Sequence, residues 1–185
     1  DNDRNIRLDW YCYGSLEIPG HSSAHYNLVE TKIYEASCTL LPDGRAELAQ
    51  KGVLAPVARR PILAFRCVYR IHPSGELQVD FSGTRLEEGP YLPRLGFTLV
   101  LRPGLEQLEY YGRGPRESYR DMQHHGMVDR YRTTVSAEYV PYPKPQEHGN
   151  HTDVQWAALT DDRGAGLLVR TPGSIGLAAS HCDPR

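Results

Sequence analysis

The stretch LAFRCVYRIHPSGELQVDF, Leu63 to Phe81, decides the fold class. In its first run Leu63, Phe65, Cys67, Tyr69 and Ile71 occupy alternate positions, with Arg66 and Arg70 among the residues between them. In its last run Leu77, Val79 and Phe81 alternate with Gln78 and Asp80. Alternation with a period of two marks a strand with one covered face. Pro73-Ser74-Gly75 between the runs is turn chemistry, so the stretch predicts a β-hairpin. The pattern extends in both directions. ASCTLLPDGRAEL, residues 36–48, predicts a second hairpin. There Pro42 presets φ, Asp43 bonds its own backbone and Gly44 accepts positive φ. RLGFTLVL places Leu95, Phe97, Leu99 and Leu101 on one face of a further strand. QLEYYG, DVQWAAL, GLLVR and SIGLAAS follow as short strands, the last three set apart by the turns TDDRG and TPG. Short strands with frequent turns predict an all-β antiparallel sandwich. The first thirty residues read as loop with at most one helical turn, interrupted at Pro19-Gly20.

Two stretches carry no strand pattern, Gly112–Val128 and Tyr139–Thr152. The second holds Pro141, Pro143 and Pro145, which forbid a regular helix or central strand. Loops this long in a compact domain serve function or interfaces. The 185 residues suit one domain with a real core. A net charge of −2 and scattered arginines exclude a concentrated basic face for nucleic acid. No apolar run approaches the ~20 residues that span a membrane, and no leader opens the chain. It begins with Asp1, which reads as processing or as a piece of something longer. The four cysteines lack C-x-x-C spacing. Cys38 and Cys67, in apolar runs, are expected to be free and buried, which favours a reducing, cytoplasmic setting.

Gly112-Arg113-Gly114 suggests a phosphate loop, but Pro115 follows and no helix comes next. The same loop carries Arg113, Arg116, Glu117, Tyr119, Arg120 and Asp121. Arginine forks pair with carboxylates, so the loop reads as a polar knot that stiffens itself. His148-Gly149-Asn150-His151 invites a metal reading, yet H-x-x-H in a Pro/Gly loop is not helix-phased. Hydrogen-bonded histidines, and no metal site, are expected there and at His124-His125. Glycosidases need two opposed carboxylates, about 5–5.5 Å apart for retention. Glu117, Glu147 and Asp153 are candidates by loop position, but the sequence places no two of them together. Trp10, Tyr11, Tyr110, Tyr111, Tyr119, Tyr139, Tyr142 and Trp156 supply aromatic faces of the kind that stack on sugars.

YYGRGPRESYRD, residues 110–121, resembles the W-Y-G-x-G-P-x-E-x-Y-x-D-R segment of the glycoside hydrolase family 2 β-galactosidases. Gly112, Gly114, Pro115, Glu117, Tyr119 and Asp121 stand at the matching positions. YVPYPKPQEHGNHTDVQWAAL resembles that family's Y-x-x-P-Y-x-x-P-Q-E-x-G-N-x-x-D-V-x-W segment, on Tyr139, Tyr142, Pro145, Gln146, Glu147, Gly149, Asn150, Asp153, Val154 and Trp156, with Pro141 agreeing by spacing only. DNDRN at the start is similar to the D-N-D that follows an Arg-Ala-Pro in those enzymes. Order and spacing agree, and the likeness is weakest over residues 11–60.

The resemblance implies the small-chain domain, 1–185, in incomplete form, with the antiparallel β supersandwich shared with galactose mutarotase. Strands before the D-N-D and after SIGLAASH are missing relative to the family. The resemblance also implies a retaining β-galactosidase as the parent, acting on galactosides such as lactose. Its two catalytic glutamates lie in a barrel domain of the same chain, so no catalytic residue is expected here. The domain would pack on that barrel and shape the galactoside pocket. Residues 1–10 would form a mobile pocket-edge loop. The substrate-binding residues implied are Asp1, Asn2, Asp3, Arg4, Arg113, Glu117, Tyr119, Glu147, His148, Asn150 and Trp156. His148 departs from the Asn of many members, a change donor–acceptor chemistry tolerates. No cofactor is expected in this piece, with Mg2+ and a monovalent cation held in other domains of a homo-oligomeric parent. A non-catalytic carbohydrate-binding module is the alternative, and mutarotase activity is a further one by fold analogy alone.

Overall fold

A computed structural model describes residues 29–57, 60–86, 92, 94–143 and 146–182. The described residues form eight strands, every pairing between them antiparallel, and no helix. The class is therefore all-β, as the alternation predicts. The chain divides into two compact units, one before and one after the Arg94/Leu95 junction.

The first unit holds β1 (Val29–Leu40), β2 (Ala46–Pro56), β3 (Leu63–Ile71) and β4 (Leu77–Arg85), in sheet order 1-2-3-4. Each strand pairs with the next in sequence. The quoted stretch is the β3–β4 hairpin, with Cys67 opposite Phe81 and Phe65 stacked on Phe81 at 5.6 Å. Register puts Leu63, Phe65, Cys67, Tyr69 and Ile71 on one face with Leu77, Val79 and Phe81. Only one end of that face is covered. Leu63, Phe65 and Cys67 are buried, whereas Ile71, Leu77 and Val79 stay exposed. Cys38, expected buried, is exposed: β1 is an edge strand, and every residue after Val29 in it is open.

The second unit holds β5 (Gln107–Gly114), β6 (Met127–Thr134), β7 (Asn150–Thr160) and β8 (Gly166–Ala178), in sheet order 6-5-7-8. Its core is Leu108, Tyr110, Val154 and Ala157. Full burial of a Leu or Val contributes roughly 1.5–3 kcal/mol. Two sequence expectations fail here, and one strand carries no pattern to predict it, for a shared reason: a strand exists by pairing, not by pattern alone. The alternating Leu95–Leu101 run forms no strand, and its leucines are exposed. MVDRYRTT lacks a clean apolar alternation yet is β6, because it zips onto β5 from Gln107↔Thr134 to Gly114↔Met127. The expected turn Thr171-Pro172-Gly173 lies inside β8, between the pairs Trp156↔Arg170 and Val154↔Ile175. Pro172 lacks an N–H, and a bulged edge strand is where a sheet tolerates it.

Candidate functional site

The glycines of the GRG motif are set by packing. A Cβ on Gly112 would lie 2.7 Å from Val154 Cγ2 and 2.9 Å from Val154 Cα. One on Gly114 would lie 2.4 Å from the Tyr110 hydroxyl and 2.8 Å from Tyr131 Cδ2. Both face the core side of β5, two residues apart as the pleat requires. The peptide into Pro115 is cis, and β5 ends there.

Beyond Pro115 the chain runs as loop 115–126, and residues 142 and 146–149 close against it. Glu117 joins them. Its Oε2 accepts from Tyr119 Oη (3.1 Å) and from the Gly149 amide (2.8 Å), and its Oε1 accepts from Tyr142 Oη. Its carbonyl accepts from His125 Nε2 at 3.0 Å. Ser118, fully buried, stitches the next step. Its amide donates to Asn150 O (2.6 Å), and Asn150 Nδ2 donates back to Ser118 O (2.7 Å). The Thr152 amide donates to Ser118 Oγ at 2.9 Å.

Arg113 anchors the outer side. Its Nε and Nη2 donate to Asp153 Oδ2 at 2.9 and 2.6 Å, and its Nη1 donates to Gly126 O at 2.8 Å. Asp153 holds φ at 57°, a left-handed conformation that Asp accepts more readily than most residues. It sits where β7 slips register against β8, between His151 and Val154. The bulge turns its carboxylate toward Arg113.

Electrostatics keep the phenols as donors. The Glu117 hydrogen bond, with burial behind it, pushes the Tyr142 hydroxyl up to about 12. Burial first, then the Glu117 charge, raises Tyr119 well above the usual tyrosine range. Beneath the knot His151 is wholly buried, 2.9 Å from Glu138 Oε2, and its ring stacks on Tyr110 at 4.2 Å. Burial, then the Glu138 charge, raises Tyr110 likewise.

Among the residues expected to bind substrate, the fold gathers Arg113, Glu117, Tyr119 and Asn150 into one network. Glu147 is half-buried and close enough to act electrostatically on Tyr119. His148 lies at the edge, T-packed on Tyr139 at 5.0 Å, beside a cavity of about 250 Å³ that Ser136 and His181 also line. The two histidines of HGNH therefore part company, one to the rim and one to the core. Trp156 is not in the knot. It pairs opposite Tyr111 on β5, on the face that carries Arg113. Asp1, Asn2, Asp3 and Arg4 lie outside the described residues. Sequence reasoning missed Ser118 and the Glu138–His151 contact. No local signal marks either, since their partners lie 34 and 13 residues away.

As chemistry, this is an acceptor cluster engaged by the protein's own donors. Both Glu117 oxygens are taken by donors, and Asp153 is pinned by a guanidinium. The geometry suits holding two loops in one conformation.

Among the described residues no helix is long and apolar enough to cross a membrane. The chain is similar to β-galactosidases over its length. It is 33% identical to that of Actinobacillus pleuropneumoniae over 151 residues, covering 82% of this chain and 14% of the relative. It is 32% identical to that of Staphylococcus xylosus over 162 residues, covering 87% and 15%, and 33% identical to that of Priestia megaterium over 116 residues, covering 63% and 11%. It thus spans about a seventh of the relatives' length. The family model described as β-galactosidase small chain matches residues 1–185. With Arg113, Glu117 and Tyr119 of one motif joined to Tyr142, Gly149, Asn150 and Asp153 of the other, the chain belongs to the β-galactosidase small-chain family.

Proposed function

We propose that this chain is the non-catalytic small-chain part of a retaining β-galactosidase that hydrolyses terminal β-galactosides. The observation that carries the reading is the commitment of Glu117. Of the loop carboxylates, it is the one most strongly placed by the motif, and both its oxygens accept from structural donors. A general acid or nucleophile needs an oxygen free to meet the substrate. The knot instead fixes two loops in one conformation, which suits a rigid pocket wall or docking face better than a catalytic centre. The catalytic glutamates then belong to a barrel elsewhere in the parent polypeptide, on which this part docks.

Two assays test this. The 185-residue chain alone is expected to leave a chromogenic β-galactoside intact, while the parent polypeptide hydrolyses it with retention at the anomeric carbon, read by NMR. Hydrolysis by the isolated chain, or a folded parent without galactosidase activity, overturns the proposal. The neighbouring Tyr111 and Trp156 favour a second reading as a carbohydrate-binding module, since paired aromatic faces stack on sugar rings. Calorimetric heat from the isolated chain with millimolar galactose, lost on Trp156→Ala, would select it.

A further inference from the structure

His151 makes two polar contacts in the core. Nδ1 lies 3.1 Å from the Arg113 carbonyl oxygen, and Nε2 lies 2.9 Å from Glu138 Oε2. A carbonyl only accepts, so the first contact needs a proton on Nδ1. A neutral imidazole has then used its one N–H, and a bare Nε2 lone pair would face a bare carboxylate oxygen. Two lone pairs at 2.9 Å in a site closed to water repel each other. A proton between them turns the clash into a charge-assisted hydrogen bond. Imidazolium against carboxylate, or neutral imidazole against carboxylic acid, satisfies the count equally, and the proton belongs to the pair.

We infer that His151 and Glu138 hold one shared proton in the core, making a proton-dependent latch beneath the Glu117 knot. The latch ties three segments: the end of β5 through the Arg113 carbonyl, the turn after β6 through Glu138, and the start of β7 through His151. The other groups facing it cannot supply that proton. From β5, Tyr110 stacks on the imidazole, and its buried hydroxyl has no partner among the described residues. From β6, Tyr131 packs on Tyr110 at 5.5 Å. From loop 139–149, His148 Nδ1 lies 3.3 Å from the Glu138 backbone oxygen, not its carboxylate. The Arg113 guanidinium is held by Asp153 and Gly126.

A proton that the folded pair holds and the unfolded chain gives up is taken up on folding. The folded state then binds more protons, so the latch weakens as pH rises. One proton corresponds to on the order of a tenfold loss in the folding equilibrium constant per pH unit.

The test is urea unfolding of the 185-residue chain from pH 6 to 9, wild type against Glu138→Gln. The amide introduced by that substitution can donate to a neutral Nε2, which keeps both hydrogen bonds without a titrating proton. The expected result is a folded variant whose stability falls less steeply than wild type, by up to tenfold per pH unit. Parallel slopes overturn the inference. Nitrogen NMR of His151 in the wild-type chain decides the case even if the variant fails to fold. Two hydrogen-bonded ring nitrogens sharing a proton with Glu138 at pH 7 support the latch, and a bare Nδ1 sinks it.

Discussion

The two units use the same strand geometry and both carry exposed ion pairs, but among the described residues only the second also buries polar side chains. In the first sheet the ion pairs are exposed or half-exposed: Lys51 with Glu35, and Arg70 with Glu47 and Asp80. In the second, Ser118, Glu138 and His151 are buried, and each is joined to a segment distant in sequence. Water competes for the first set and not for the second. Exposed pairs contribute about 0–1 kcal/mol, whereas stranding one partner of a buried polar network costs about 3–5 kcal/mol. The first sheet is therefore held by its ladder and by apolar residues partly covered on both faces. The second depends on a few irreplaceable polar contacts.

The contrast sets an order of effects. Glu117→Ala strands two phenols and the Gly149 amide at once. It is expected to cost about 3–5 kcal/mol, read as a drop in the chemical-unfolding midpoint with loss of loop protection in hydrogen exchange. A loss below about 1 kcal/mol would place the knot in the same class as the surface pairs and erase the contrast. Gly112→Ala comes next, since its methyl would overlap Val154 backbone and side chain. Overpacking there is expected to cost about 1–3 kcal/mol, while Gly75→Ala, which meets no neighbour, carries only the strain of its positive φ.

A third measurement uses pH. Tyr142 is raised from an ordinary tyrosine value to about 12. The folded state keeps that proton while the unfolded chain releases it near ~10, so this contribution is complete below about pH 10 and is lost as pH rises toward 12. Ultraviolet titration should show exposed tyrosines ionising near 10 and Tyr142 later, coincident with loss of structure. Ionisation of Tyr142 with the rest would break the link to Glu117. Smallest of all, Lys51→Ala is expected to shift stability by under about 1 kcal/mol, and the shift should shrink further in salt.

Legibility followed sequence distance. The β1–β2 and β3–β4 hairpins were readable because alternation and turn residues sit side by side, and Gly44 and Gly75 adopt the positive φ their turns require. The motif Gly112 to Asp121 was readable as a polar knot because its charges and phenols are dense, but its arginine–carboxylate pair, Arg113 with Asp153, reaches outside the loop. Its closing partners were not, since Tyr142 and Gly149 come from a loop some thirty residues away. β6 was invisible because pairing with β5, not its own pattern, makes it a strand. Leu95–Leu101 has the pattern without a ladder, and remains open.

The sequence by itself determined the period-two class, the turns at Gly44, Gly75 and Gly164 and the family, because these rest on neighbouring residues and on motif order. Tertiary structure alone decided which carboxylate holds the two loops together, which histidine is buried, and why Gly112 and Gly114 must lack side chains. Those outcomes depend on groups from distant segments meeting within about 3 Å, the range over which hydrogen bonds and atomic overlap act.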